Sequence, residues 1–563
     1  MLDQPQHDVI ILGGGLAGLT LAIQLLRKFS SLRVLVLERR RHPLPHATHK
    51  VGESTVEIGA NYLDTVLGLK DHLTRSQLKK FGFRFFFSEG RSDVDQVLEL
   101  GASTYLETPA YQIDRGIFEN YLAEHARELG ARFTDGATVR SIELGAGGGV
   151  HAVYYEAAGA VHETCGRWLI DASGRAGLIK RKLNLARDNA HDANAVWFRI
   201  GARIDVDQWS GDAAWRMRCN PPYRWLSTNH FCGDGYWAWL IPLASGSHSV
   251  GIVCDAGKHP LENMNSFEKA LAWLHRHEPR LGQEIESRQH QLQDFMFLRN
   301  FSYGCKQMFS GTDRWALTGE AGVFLDPFYS PGTDFIAISN TFITDLIERE
   351  QRGEHVGGRS HIYEQLFNSF YESTLSLYKD QYGLFGDAEV MPVKVIWDYS
   401  YYWGILCQLF FQRRLTDLAN IGRLSVELNH SRALNEAIQS LLRQWSKISQ
   451  RANPAVMFDQ AALPWFAELN RGLRDTLDDA GFRDRIVQYT KLLDELALAI
   501  ITRVGAQYPE LNVDEIRRLL PVATTLRAGL LFEMPAQSDS TADSADYGFN
   551  TTAARPSQSS VSA

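Results

Sequence analysis

The chain has 563 residues, 44% of them hydrophobic and 22% charged, a globular composition that excludes collagen-like, coiled-coil and fully disordered classes. Lys plus Arg total 58 against 66 Asp plus Glu, and a net charge of −8 argues against nucleic-acid binding driven by charge. The length suffices for two or three domains and for a large core without disulfides or structural metal. The N-terminal MLDQPQHDVIILGGG has no basic segment before its apolar stretch, so it reads as a buried first strand, His7 to Leu12, rather than a signal peptide. Gly13-Gly14-Gly15-Leu16-Ala17-Gly18 follows, then a helical pattern to Lys28, then a second β-rich run, Leu32 to Leu37, ending at Glu38.

This β-α-β unit carries G-x-G-x-x-G at its first turn. Gly13 makes the tight turn, Gly15 lets backbone approach a pyrophosphate, and Gly18 allows close helix–strand packing. The helix N-terminus offers positive dipole to the phosphates. Glu38, twenty residues after Gly18, is placed to hydrogen-bond a ribose 2′-OH, which argues for a dinucleotide other than NADP. The glycine-rich Gly145–Gly149 separates two strand-like runs with no helix after it and reads as a hairpin connection. The six cysteines form no C-x-x-C pair and no zinc spacing, so buried reduced thiols and no metal site are expected. With no stretch of eighteen apolar residues, no transmembrane helix is expected, and the location is read as cytoplasmic.

Further along, Trp168–Ile170 leads into Asp171-Ala172-Ser173-Gly174-Arg175, and Trp315–Thr318 into Gly319-Glu320-Ala321-Gly322. These resemble the D-A-[ST]-G-R and G-D-A signatures of the FAD-dependent monooxygenase superfamily. The resemblance implies FAD as cofactor, with Glu320 replacing the acid that holds the ribityl chain and Arg115 standing near the cofactor. It also implies an α/β, Rossmann-like FAD-binding fold of the PHBH/glutathione-reductase type. No separate NAD(P)H domain is recognisable, so a visiting nicotinamide or a separate flavin reductase would supply electrons.

Four more stretches narrow the family. Val51-Gly52-Glu53-Ser54, Lys80-Phe81-Gly82, Trp237-Ala238-Trp239-Leu240-Ile241-Pro242, and Phe324-Leu325-Asp326-Pro327-Phe328-Tyr329-Ser330-Pro331-Gly332 occur in order. Together they resemble the flavin-dependent halogenase family over residues 7 to 345. The resemblance implies that reduced FAD, O2 and chloride or bromide yield hypohalous acid, which a buried lysine, here Lys80, directs onto an electron-rich ring. Ser330 joins Lys80 as a catalytic candidate. Gly13, Gly15, Gly18, Glu38, Glu53, Ser54, Arg115, Asp171, Gly319, Glu320 and Gly332 are the cofactor candidates. Of the neighbouring lysines, Lys79 reads as the exposed one. Trp237 and Trp239 alternate on a strand, so both indoles share one face, where the resemblance places them between flavin and substrate.

Two positions depart from the family. Tyr329 stands where the tryptophan-specific branch has a glutamate, which points to phenols or pyrroles, free or carrier-tethered, as substrates. Pro331 removes an N–H from the expected halide loop, leaving Gly332 and Thr333, a loss of about 1.5–3 kcal/mol for a hydrogen bond to an anion. Pro331, together with Glu320, keeps a monooxygenase, or a reductase of polyene or prenyl chains, as the alternative on the same scaffold.

The expected organisation is an FAD-binding core over residues 1–345, interleaved with a substrate-binding sheet near 85–110 and 190–300. A helical C-terminal subdomain, 346–534, and a disordered tail, 535–563, complete it. The helices are expected at Thr341–Arg352, Ser360–Tyr378, Arg413–Asn429, Ala433–Arg451, Arg471–Ala480, Phe482–Val504 and Leu511–Leu531. The aromatic run Trp397–Trp403 reads either as packed core or as a wall of the substrate channel.

Overall fold

The structure is a computed structural model, and residues 5–47 and 50–533 are described. The expected tail, 535–563, lies outside the described residues. The chain up to Leu531 clusters as one compact unit.

The first strand forms over His7–Leu12, where four consecutive apolar residues are buried on both faces, as a central parallel strand requires. It pairs in parallel with Val34–Leu37 on one side and with Ala160–Asp171 on the other. The sheet runs Phe309–Ser310, Trp315–Leu317, Ala160–Asp171, His7–Leu12, Val34–Leu37, Arg132–Thr134. All three glycine-bearing or acidic motif turns, after Leu12, Asp171 and Leu317, therefore leave the same carboxyl edge of adjacent parallel strands. That edge is where open α/β sheets bind ligands. The Gly145–Gly149 segment joins Thr138–Glu143 to His151–Ala157, which pair antiparallel, as the hairpin reading expected.

The second sheet has the order Leu292–Leu298, Ala193–Ile200, His248–Asp255, Tyr236–Pro242, Thr228–Gly233, Phe83–Phe86, Glu99–Gly101, Met457–Asp459. Period-two alternation sorts its faces. Tyr236, Ala238 and Leu240 point into a core closed by the helices Phe267–His277 and Pro279–Glu286. Trp237 and Trp239 point the other way, with ring centroids 5.6 Å apart. Phe83 and Phe85 lie on that same side, both against His230.

The C-terminal third is mainly helical, with differences in detail. The first helix begins at Gly332 and runs to Gln351, nine residues ahead of the expected start, because Pro331 is set as its N-cap. The span expected as Arg413–Asn429 divides into Leu418–Arg423 and Ser425–Trp445. Arg471–Ala480 is not a helix: Pro464–Arg471 ends there, and Asp478 caps Asp479–Gln507 by accepting the Gly481 N–H. The last expected helix shortens to Asp514–Leu519, since Pro521 cannot continue it. A strand, Met457–Asp459, was not anticipated; its three residues join the second sheet beside Glu99–Gly101. Among the described residues no helix is long and apolar enough to cross a membrane.

Candidate functional site

The phosphate loop is shaped by contacts that only glycine permits. A Cβ on Gly13 would stand 2.3 Å from the Ala172 carbonyl oxygen, and Gly13 has φ +114°. A Cβ on Gly18 would stand 2.0 Å from the Gly13 oxygen. Gly15, the N-cap of Leu16–Lys28, is different: a Cβ there would meet nothing nearer than Lys50 Nζ at 3.8 Å and Glu119 Oε1 at 4.0 Å. The turn is thus closed underneath and open above, and its helix has no side-chain cap. Lys50 and Arg115 both ion-pair with buried Glu119, bringing two cations to one acid beside this opening. An open helix N-terminus flanked by cations fits a dinucleotide pyrophosphate.

Glu38 sits at the end of its strand and accepts the backbone N–H groups of Gly14, at 2.6 Å, and Arg40, at 2.7 Å. Asp171 is buried and organises its own turn, accepting from Ser173 N–H and Oγ and from the Ile179 N–H. Gly319, at φ +61°, packs where a Cβ would lie 2.9 Å from Ala17. Glu320 is partly exposed at the same edge and pairs with Arg175 at 3.3 Å. Arg175 in turn lies 4.8 Å from the Phe324 ring centroid. Arg115 donates to the Val51 carbonyl and so ties the Val51–Ser54 stretch to the phosphate side. Glu53 is buried and ion-paired with Arg199 at 2.5 Å, and its carboxyl is pushed up by burial against that pairing. Residues present at the edge of the first sheet therefore fit FAD, with Lys50 and Arg199 as neighbours that motif reading missed.

Lys80 is buried and Lys79 is exposed, as the sequence suggested. The two alternate on a short extended segment, so opposite exposure follows from period two. Lys80 Nζ donates to Ser54 Oγ at 2.9 Å and to the Thr55 carbonyl at 3.0 Å, and lies 3.3 Å from the Phe83 ring centroid. Burial holds its ammonium well below the ordinary lysine range, opposed by the charges of Glu57 and then Asp334. Both acids are buried. Glu57 is pushed up by burial, opposed by the Trp403 side chain beside it and by the Lys80 charge. Asp334 accepts the Gly59 N–H at 2.8 Å and the Tyr402 hydroxyl at 2.6 Å. Burial pushes Asp334 up to about 8, opposed by Tyr402 and by Lys80. A single ammonium thus faces two buried carboxyls.

Asp334 also lines a cavity with Val56, Phe83, Tyr329, Tyr399 and Tyr402. The aromatic run divides its work. Trp397 packs inward and donates to Asn435 at 2.9 Å, while Tyr399 and Tyr402 form the wall. A π-helical turn at Tyr402–Leu406 interrupts the helix Met391–Tyr401 at that point, re-aiming Tyr402 toward Asp334. The run thus supplies both packed core and cavity lining.

The loop before Gly332 carries two consecutive left-handed residues, Tyr329 at φ +62° and Ser330 at φ +52°. Tyr329 faces the cavity with its hydroxyl buried beside the Asp398 carboxyl. The Ser330 N–H bonds the Pro327 carbonyl, and Pro331 has none. Gly332 and Thr333 open the following helix, and Thr333 packs on Gly59. Trp237 lies 5.1 Å from Phe328 of this loop and donates to the Tyr382 hydroxyl at 3.4 Å. Tyr382 donates to Asp326 at 2.7 Å, and His191 meets the same carboxylate oxygen at 2.8 Å. Trp239 donates to Ser249 at 3.0 Å. Sequence reading missed Glu57 and Asp334, and it named Tyr402 only as part of the aromatic run; a charged residue two places after a family glycine was the one available hint for Asp334.

Comparison with known proteins gives the following. A family model described as an FAD binding domain matches residues 6–275. The chain is 27% identical over 456 residues, 74% of each chain, to a Dictyostelium discoideum protein named flavin-dependent halogenase chlA. It is 26% identical over 366 residues to the 1H-pyrrole-2-carbonyl-[peptidyl-carrier protein] chlorinase of Pseudomonas fluorescens, covering 62% of this chain and 77% of that one. Its fold superposes on a crystal structure of halogenase PltM in complex with phloroglucinol and FAD, with TM-score 0.63 at 18% identity, over 91% of this chain and 98% of that one. Against the flavin-dependent brominase Bmp2 the TM-score is 0.52 at 21% identity, over 67% of this chain and 87% of that one.

Proposed function

Because the chain belongs to the flavin-dependent halogenase family, we propose that it halogenates an electron-rich aromatic ring, phenolic or pyrrolic, in the cavity beside Lys80. The observation that carries this reading is the buried Lys80 ammonium, hydrogen-bonded to Ser54 and Thr55 next to an aromatic-walled cavity. When bound, reduced FAD with O2 and halide supplies hypohalous acid. Gly13, Gly15 and Gly18 seat the pyrophosphate, with Lys50 and Arg115 beside it, and Glu38 and Glu320 stand at the two strand ends where ribose and ribityl hydroxyls would lie. Lys80 Nζ holds and orients the hypohalous acid; a desolvated ammonium is a strong hydrogen-bond donor there. Trp237 and Trp239 fill the face of the second sheet and exclude water and the substrate ring from the flavin side. Gly332 and Thr333 donate to halide at the start of a twenty-residue helix. A separate flavin reductase supplies the electrons.

The halide loop favours a second reading. With the Ser330 N–H bonded to Pro327 and Pro331 lacking one, the halide site is poor in donors, and a monooxygenase would need none. One assay decides. Purified protein is given reduced FAD, O2 and bromide or chloride with a panel of phenols and pyrroles, and products are read by mass. Halogenated product that vanishes in Lys80→Ala, while flavin oxidation continues, supports the proposal. Oxygenated product formed without halide sinks it.

A further inference from the structure

Two buried acids flank Lys80, and they are not equivalent. Glu57 contributes the larger of the two charge effects on Lys80 and does not line the cavity, so it acts as the ammonium's counter-ion. Asp334 lines the cavity between Val56 and Tyr402, with one hydrogen bond to each of its oxygens and a lone pair remaining on each. A carboxyl that faces the substrate cavity and lies within the field of the lysine is placed to act on the substrate itself. Resting on the halogenase reading, we propose that Asp334 receives the hydroxyl proton of the substrate, which makes the substrate a phenol bound with its O–H toward Asp334 and its ortho or para carbon toward Lys80.

The step balances. Asp334 takes the phenolic proton, and the oxygen lone pair moves into the ring. The ring carbon forms a carbon–halogen bond as the oxygen–halogen bond of hypohalous acid breaks. The departing hydroxide takes a proton from the Lys80 ammonium and leaves as water. The ring C–H proton then passes to the Lys80 amine, and Asp334 returns its proton to the substrate oxygen. The ring carbon is oxidised by two electrons, and the halogen is reduced to the halide oxidation state.

The acid–base match favours a phenol over a pyrrole. Burial pushes Asp334 up to about 8, within about two units of an ordinary phenol near 10, whereas a neutral pyrrole N–H is a far weaker acid. Other titratable groups face this cluster. Asp398 lines the same cavity and is also raised by burial, against its ion pair with Lys394 at 2.9 Å, and an Asp398→Asn variant that keeps the rising limb assigns that limb to Asp334. Tyr402, Tyr399, Tyr378 and the Cys407 thiol are all pushed well up by burial, and His230, beside Lys80, is pushed down to about 3. Glu57 is also raised, and its own variant separates it.

The experiment uses the FAD-reconstituted enzyme with bromide and substituted phenols whose acidity spans roughly the ordinary phenol value down to neutrality. Asp334→Asn is expected to slow bromination of ordinary phenols about 10²-fold or more, the usual worth of a general base, but by less than about tenfold for phenols already ionised at the assay pH. Hypobromous acid trapped by monochlorodimedone should be unchanged, since that step does not use Asp334. The wild type should show a rising limb in kcat/KM near pH 8 that Asp334→Glu keeps, that Glu57→Gln moves to lower pH because the Glu57 charge helps raise Asp334, and that Asp334→Asn lacks. Tyr402→Phe, which removes a donor stabilising the carboxylate, should move that limb to higher pH. Equal loss across the whole phenol series, or a rising limb that survives in Asp334→Asn, overturns the proposal while leaving the halogenase reading intact. A wild type that brominates nothing in the phenol and pyrrole panels overturns both.

Discussion

Asp334→Asn should raise stability at neutral and mildly alkaline pH. The Asp334 carboxyl is buried, and its folded-state pKa is raised from 3.8 to about 8. A raised carboxyl pKa means that the folded state binds the proton more tightly. Folding is therefore unpenalised below the unfolded value of 3.8, and stability is lost as pH rises from there to about 8, after which the loss is constant. At about 1.4 kcal/mol per unit, four units amount to roughly 5–6 kcal/mol as an upper limit. Asparagine removes the ionisation while keeping an amide oxygen for the Gly59 N–H. Its neutral hydrogen bonds replace charge-assisted ones, a loss of about 1–2 kcal/mol. The net expectation is a variant more stable than wild type by at most roughly 3–5 kcal/mol at pH 8, with the difference gone or reversed near pH 4. Thermal melts of both proteins across that range read it. A difference that does not change with pH, or a variant less stable throughout, would refute the burial argument, whatever reaction the enzyme catalyses.

Gly18→Ala should fail to accumulate folded protein, because its methyl would sit 2.0 Å from the Gly13 oxygen; Gly15→Ala, which meets nothing nearer than 3.8 Å, should fold normally but bind FAD at least about tenfold more weakly, read by flavin absorbance titration. Pro331→Ala restores an N–H at a residue whose φ of −78° suits alanine, and should lower the bromide KM by roughly ten- to a hundredfold in steady-state kinetics. Glu57→Gln removes the larger charge that supports the Lys80 ammonium, so Lys80 should lose its proton at lower pH. The falling, high-pH limb of bromination should shift down accordingly, and an unmoved limb would deny Glu57 the counter-ion role.

What could be read from sequence was what neighbours along the chain decide. The turn at Gly13–Gly18 is local: steric room at Gly13 and Gly18 within one β-α crossing fixes it, so the pattern announced a dinucleotide-binding edge before any fold was known, and the later signature stretches named FAD by resemblance. The shared face of Trp237 and Trp239, and the opposite exposure of Lys79 and Lys80, follow from the two-residue period of an extended chain. Helix ends were less legible. Arg471–Ala480 has helical periodicity, but Asp478 caps a new helix within it, and the winning hydrogen bond to Gly481 is a matter of competing local geometries.

The cluster at the cavity was beyond such reading. Glu57, Lys80, Asp334 and Tyr402 come from four separate segments, and no periodicity links residues so far apart in the chain. Their meeting depends on the helix Gly332–Gln351 packing Thr333 onto Gly59, a contact that only a glycine allows, and on the π-turn that aims Tyr402. Their chemistry depends on burial, which raises carboxyls and lowers an ammonium through desolvation. Desolvation is a property of everything packed around a group rather than of the residues beside it in the chain. The sequence by itself determined the dinucleotide edge, the opposite exposure of the two lysines and the tryptophan face, because short-range sterics and alternation decide those, while FAD and the choice of Lys80 came from family resemblance. The tertiary structure alone decided which acids share the lysine's field and which of them lines the cavity, because charge in a dry interior is set by three-dimensional neighbours.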